Sequence, residues 1–179
     1  MRSALIEHLR HHALRTDGPF VLRSGETTDW YLDARMTTFD GAGAIATAEA
    51  VLSVLESSVV AVGGMTIGAD PIAVATAVVA TQRGRALRAF SIRKEAKGHG
   101  TGGRLVGPVH PGDSVAVLED TTTTGGALLE AIQVASGEGL AVVQAVSIVD
   151  RSDGRVAGRL AAAGIPYTAL AVPSDLGVA

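Results

Sequence analysis

The sequence predicts an α/β domain built on an open parallel sheet flanked by helices. Three observations point there. Near-continuous runs of valine, alanine, isoleucine and leucine recur at 59–63, 86–92, 114–120, 140–150 and 167–172. They lack the apolar–polar alternation of a strand that keeps one face in water. Alanine-rich segments of helical length separate them. Several of the runs end in turns of glycine, threonine or acidic residues, and open sheets of this kind bind ligands beyond the carboxyl ends of their strands.

Taken in order, the first element is a helix over about 2–15, with Leu5, Leu9 and Ala13 on one face. His8 and His12 lie on it at a spacing able to grip a metal, but no third ligand stands nearby, so a solvated helix face is expected. Short strands at 20–22 and 30–32 flank the turn RSGETTD. Asp40 suits an N-cap and opens a helix through GAGAIATAEAVLSVLES. The strand VVAVG (59–63) leads into a glycine turn over 63–70. Pro71 then sits in the first turn of a helix that continues through IAVATAVVATQ. ALRAFSI (86–92) is the next strand, followed by a polar segment and the apolar pair Leu105 and Val106. SVAVLED (114–120) is a strand ending in two carboxylates, and TTTTGG turns the chain into the helix ALLEAIQVAS. LAVVQAVSIVD is a long strand, 156–163 a helix, and YTALAV the last strand. No repeat, low-complexity tract or linker interrupts this order, so a single domain over 1–179 is expected.

Composition narrows the function. At 47% hydrophobic, the chain can bury a core without staples, and it has no cysteine for disulfides, thiolate metal sites or a thiol nucleophile. That suits a reducing compartment, and a cytoplasmic protein is expected. The net charge of −3 argues against a general nucleic-acid binder. MRSALIEHLRHHALR lacks the apolar core of a signal peptide. No apolar run approaches the ~20 residues that cross a membrane. Neither nucleic acid nor membrane is therefore expected as a partner. Gly41, Gly43 and Ala46 match a dinucleotide fingerprint, but no convincing strand precedes them and a helix start explains them.

Against this apolar background one segment stands out. In SIRKEAKGHGTGG (91–103), Arg93, Lys94, Lys97 and His99 are interleaved with Gly98, Gly100, Gly102 and Gly103, and Glu95 is the only acid. A second segment, VAVLEDTTTTGGALLEA, runs a strand into Glu119 and Asp120, then hydroxyl residues, two glycines and a helix. Successive backbone N–H groups and threonine hydroxyls at a helix N-terminus make an anion cradle of phosphate size. Carboxylates facing a phosphate would repel it, so the two acids suit neighbouring sugar hydroxyls. Cradle and acids together describe a ribose-5-phosphate pocket.

VLEDTTTTGG closely resembles the phosphoribosyl pyrophosphate (PRPP) signature of type I phosphoribosyltransferases. RKEAKGHGTGG is similar to the mobile catalytic loop of orotate phosphoribosyltransferases, FVLRSGETTDWYLDAR to their base-side hood, and VDRSDG to their late arginine motif. The resemblance spans about residues 20 to 155 in the right order. It implies the type I phosphoribosyltransferase fold, with a small N-terminal hood of about 1–38 and 165–179 over the core. It also implies transfer of phosphoribose from PRPP to orotate in pyrimidine synthesis, giving orotidine 5′-monophosphate and pyrophosphate.

By position, the resemblance implies that Glu119 and Asp120 hold the ribose hydroxyls. Thr121, Thr122, Thr123, Thr124, Gly125, Gly126 and Ala127 would wrap the 5′-phosphate, Thr123 also lying near orotate. Arg151 would meet the orotate carboxylate, a good match for a planar guanidinium, with Tyr31 as the aromatic beside the base. Arg93, Lys94, Lys97 and His99 would contact pyrophosphate, Lys97 leading as cation, and Arg23 would join them where many relatives carry lysine. Mg²⁺ is the implied cofactor, held mainly by PRPP and water with no dedicated protein ligands. A homodimer sharing the catalytic loop between subunits is the implied assembly. The chain departs from the family pattern at Leu32, where some relatives have a second aromatic, and in the lysine-free turn over 63–70. Two alternatives stand beside this reading: a phosphoribosyltransferase for another base such as a purine, and a PRPP-sensing regulator.

Overall fold

The computed structural model describes residues 1–21, 25–96 and 103–179. The chain begins with helix α1 (Arg2–His8), which widens into a π-wound turn over Leu9–Ala13. It stops short of the expected residue 15 because Leu14 turns extended and pairs with Leu32. Strands β1 (Leu14–Arg15), β2 (Phe20–Val21), β3 (Thr27–Thr28) and β4 (Tyr31–Leu32) form two small antiparallel ribbons, β1 with β4 and β2 with β3. Helices α2 (Arg35–Thr38) and α3 (Gly41–Val54) follow. Asp40 caps α3 as expected, its Oδ1 accepting from the N–H groups of Ala42 at 3.0 Å and Gly43 at 2.9 Å. His8 is not simply solvated: its ring bonds Thr37 Oγ1 and Asp40 Oδ1 and stacks on His12. Helix α3 ends before the expected residue 57. Leu55 is extended, and the Glu56 N–H is taken by the Gln144 side chain.

The core then alternates as β5 (Ala61–Met65), α4 (Ala69–Gln82), β6 (Arg88–Ile92), β7 (Leu105–Val106), β8 (Ser114–Thr122), α5 (Gly126–Gly137), β9 (Ala141–Asp150), α6 (Arg155–Ala162) and β10 (Tyr167–Ala171). Six strands form the central sheet in the order β10-β9-β8-β5-β6-β7, parallel except for β7 at one edge. The predicted open parallel sheet flanked by helices is thus observed. Consecutive residues of each strand serve opposite faces. Leu118 joins Leu5, Val51, Ile72 and Ile148 on one side, while Val117 joins Phe90, Leu128, Ile132 and Leu160 on the other.

One expected turn is corrected. Strand β5 runs past the expected Gly63 to take in Gly64 and Met65, and all five residues of this central strand are buried. A Cβ on Gly63 would collide with the Phe90 carbonyl, and one on Gly64 with the Leu118 carbonyl. These glycines therefore serve close strand approach, and the turn shrinks to 66–68. From β5 the chain steps to β6 on one side, whereas from β8 it steps to β9 and β10 on the other. The neighbours β5 and β8 are thus the switch point, and their carboxyl ends border the crevice where such folds bind ligands.

Candidate functional site

Strand β8 runs two residues beyond the expected Asp120, because Thr121 and Thr122 pair with Val149 and Asp150 of β9. The strand thereby carries both acids to its carboxyl end. Glu119 is 6% exposed, and its Oε2 is buried with no hydrogen-bond partner among the described residues. Burial first, then repulsion from Asp120, pushes its pKa up to about 8. Asp120 Oδ1 accepts the Thr121 N–H at 2.6 Å. The 66–68 turn comes so close to this carboxyl group that a Cβ on Gly68 would lie 2.8 Å from its carbon.

Beyond β8, Glu119, Thr121, Thr122, Thr123, Thr124, Gly125, Gly126, Ala127 and Leu128 line a hollow of about 150 Å³ at the start of α5. Gly125 makes the turn with φ 75°, and a Cβ there would press on the Val156 side chain at 2.8 Å. Helix α5 brings to this hollow first-turn N–H groups that lack intrahelical partners. Arg159 steadies the turn by donating to the Thr124 carbonyl at 2.6 Å.

Thr122 lines the hollow, but its hydroxyl is engaged elsewhere. It donates to Asp150 Oδ1 at 3.0 Å and lies 3.1 Å from the Tyr167 hydroxyl, which in turn bonds Ser147. Asp150 also accepts the Ser152 N–H at 2.8 Å, and Ser152 Oγ accepts the Val156 N–H at 3.0 Å. This buried polar network ties the ends of β8, β9 and β10 to the start of α6. Burial also raises the pKa of the Tyr167 hydroxyl. Sequence reasoning missed Ser147 and Tyr167; a serine inside the apolar run LAVVQAVSIVD was the available signal.

Arg151 follows β9 and borders a larger cavity of about 470 Å³ together with Trp30, Asp150, Asp153, Pro173 and Ser174. Its guanidinium lies 4.4 Å from the centroid of the Trp30 ring. Burial of about half the group lowers its pKa. Tyr31, the expected aromatic, packs its ring against Phe20 at 5.9 Å and remains 39% exposed. The aromatic against Arg151 is its neighbour Trp30, whose signal was its place in the hood segment as the only tryptophan.

The basic segment leaves β6. Arg93 exchanges two bonds with Arg104, its N–H donating to the Arg104 carbonyl at 2.9 Å and its carbonyl accepting from Arg104 Nε at 2.7 Å. Arg104 also reaches Glu130 of α5 at 2.6 Å, so the stem of the segment is tied to the cradle helix. The positive charge of Lys94 offsets a small part of the rise in the Glu119 pKa that burial and Asp120 cause. Arg23, Lys97 and His99 lie outside the described residues. The strand ends therefore bring Glu119, Asp120, the 121–127 turn and Arg151 to one end of the sheet.

Comparison with known proteins follows the same lines. The sequence is 40% identical over 179 residues to an orotate phosphoribosyltransferase of Streptomyces avermitilis, spanning 99% of this chain and 98% of that protein. The fold matches an orotate phosphoribosyltransferase of Mycobacterium tuberculosis in complex with inorganic phosphate at TM-score 0.86 and 31% identity, over 99% of this chain and 98% of that one. It matches the same organism's enzyme in complex with PRPP at TM-score 0.80 and 30% identity, over 99% of each chain. No family model matches the sequence.

Proposed function

The chain belongs to the orotate phosphoribosyltransferase family, and we propose how its residues divide the work of that reaction. The reaction transfers the phosphoribosyl group of PRPP to orotate, giving orotidine 5′-monophosphate and pyrophosphate on the route to pyrimidine nucleotides. The observation that carries the residue assignment is the buried Oε2 of Glu119, which has no partner among the described residues, beside a small hollow at the start of α5. A buried acceptor without a donor is costly, and a sugar hydroxyl held next to a cradled phosphate would satisfy it.

In this reading Thr121, Thr122, Thr123, Thr124, Gly125, Gly126 and Ala127 wrap the 5′-phosphate, Thr122 through its backbone. Asp120 and Glu119 take the 3′- and 2′-hydroxyls, and the ribose is thereby fixed with its anomeric carbon over the crevice. Orotate lies with its carboxylate on Arg151, near Thr123 and Tyr31. Displacement passes through an oxocarbenium-like state, so positive charge grows on the ring while negative charge grows on the leaving pyrophosphate. Arg93, Lys94 and Lys97, with Arg23, act as the cations for that leaving group and His99 assists as a donor, which is where fixed charge lowers the barrier. Enclosure keeps water from the activated sugar. Orotate can offer an anionic ring nitrogen, so no general base is needed.

Mg²⁺ is proposed as the cofactor. Glu119 and Asp120 offer oxygens at the crevice, but among the described residues no three His, Asp or Glu side chains gather in a way that could hold a metal. The ion would then take most of its ligands from PRPP and water, and when bound it supplies charge neutralisation of pyrophosphate oxygens. We extend the proposal to a homodimer that shares the catalytic loop. Its support is the apolar side chains left exposed on neighbouring helices: Met36, Ile45, Val74 and Val78, with Phe39 beside them. A hood of about 1–38 and 165–179 is supported by contacts of Arg2 with Leu170 and Asp175, and of Trp30 with Ala179. A cytoplasmic location fits these small-molecule substrates. Among the described residues no helix is long and apolar enough to cross a membrane.

The decisive experiment follows the loss of orotate absorbance when PRPP and Mg²⁺ are added. Orotate-dependent release of pyrophosphate is expected. PRPP consumption supported by adenine, hypoxanthine or uracil, and not by orotate, would overturn the reading.

A further inference from the structure

We infer that Trp30 is a positioning residue for the substrate carboxylate, acting through Arg151; the inference rests on the assignment of Arg151 to orotate. Its ring lies 4.4 Å from the Arg151 guanidinium carbon, within cation–π range. Trp30 is itself held in place. Its indole N–H donates to the Ala179 carbonyl at 2.9 Å, and its own carbonyl accepts the Thr28 hydroxyl at 3.2 Å. The ring also packs against the buried core that contains Leu5 and Leu32.

Arg151 needs such a support. Its charge is about half-buried and its pKa is lowered by desolvation, yet among the described residues no carboxylate or carbonyl accepts from its side chain. Asp150, the acid beside it in sequence, is committed to Thr122 and the Ser152 N–H. A flexible guanidinium without a partner would sample many rotamers and present its donors in none of them for long. Seating the guanidinium over the indole restricts that freedom before any ligand arrives. With its side-chain N–H groups donating to no protein acceptor among the described residues, the guanidinium keeps the donors that grip a planar carboxylate with two parallel bonds. Both residues border the same cavity of about 470 Å³, so those donors have room for a base-sized molecule. Tryptophan suits the task better than tyrosine or phenylalanine because its ring is the strongest cation–π partner.

The experiment compares Trp30→Phe, Trp30→Leu and Trp30→Ala after wild-type orotate turnover has been established, so that failure of the activity and failure of this inference are separate results. Trp30→Leu and Trp30→Ala are expected to raise the KM for orotate about tenfold while leaving kcat and the KM for PRPP within about twofold. Trp30→Phe should recover most of the loss, since it keeps an aromatic face. Because Trp30 is the only tryptophan, its fluorescence offers a readout apart from activity. Orotate should change the emission, uracil at the same concentration should not, and Arg151→Lys should abolish the orotate response. Leucine performing as well as phenylalanine would overturn the inference. So would a wild-type orotate KM in Trp30→Ala, or a loss of kcat and both KM values together. If the alanine variant fails to fold, the phenylalanine–leucine pair and the wild-type fluorescence titration still decide.

Discussion

Replacing Glu119 by glutamine should flatten the dependence of stability on pH. The carboxyl group is 6% exposed, and its pKa stands at about 8 against 4.5 for the free side chain. Below about pH 4.5 the group is protonated both folded and unfolded, and contributes no slope. Between about pH 5 and 8 the unfolded chain has released this proton and the folded chain has kept it. Folding then takes up a proton, so stability falls as pH rises, by up to about 1.4 kcal/mol per pH unit. Over the whole interval the loss is at most about 5 kcal/mol. Few other shifted carboxyls share that window. Asp33 is held low by Arg35, Asp40 by the Gly43 N–H and Asp113 by Arg88, so the stability they contribute is lost only toward acid. Urea unfolding at constant ionic strength, run from pH 5 to 9, measures the effect. Wild type should lose several kcal/mol more than Glu119→Gln across the range, and the shared titrations cancel in the difference. Parallel curves for the two proteins would show that Glu119 ionises normally and would refute the reasoning.

Three further outcomes test the site. Lys97→Ala should lower turnover by orders of magnitude with the far-ultraviolet circular dichroism unchanged; near-normal turnover would remove Lys97 from the mechanism. Mixing Lys97→Ala with Asp120→Asn should restore some activity if the loop is shared between subunits, and no recovery despite demonstrated subunit exchange would count against sharing. Gly125→Ala forces a side chain into φ 75° and against Val156. It should cost about 1–3 kcal/mol of stability and raise the KM for PRPP more than that for orotate. Equal effects on both substrates would detach the 121–127 turn from the phosphate.

How much of this was legible in the sequence depended on whether a residue's role was local. The five parallel strands were found because burial on both faces leaves a continuous apolar run, and Asp40 was found because capping involves only its own next three residues. Gly64 was misplaced into a turn, since a glycine required by the approach of Leu118 looks the same in sequence as one required by a turn. Trp30 was overlooked for the same reason: its partner Arg151 comes from the other end of the chain, and only the fold brings the two to 4.4 Å. The acid pair shows the limit most clearly. In the sequence Glu119 and Asp120 are two equivalent carboxylates for two sugar hydroxyls. Strand periodicity sends neighbours to opposite faces, so Glu119 is buried with an oxygen that has no partner among the described residues, while Asp120 stays partly exposed beside the 66–68 turn. Burial pushes the pKa of Glu119 up to about 8, which favours a protonated carboxyl able to donate as well as accept. In the proposed assignment the motif's two acids would therefore bring different hydrogen-bonding chemistry to the ribose.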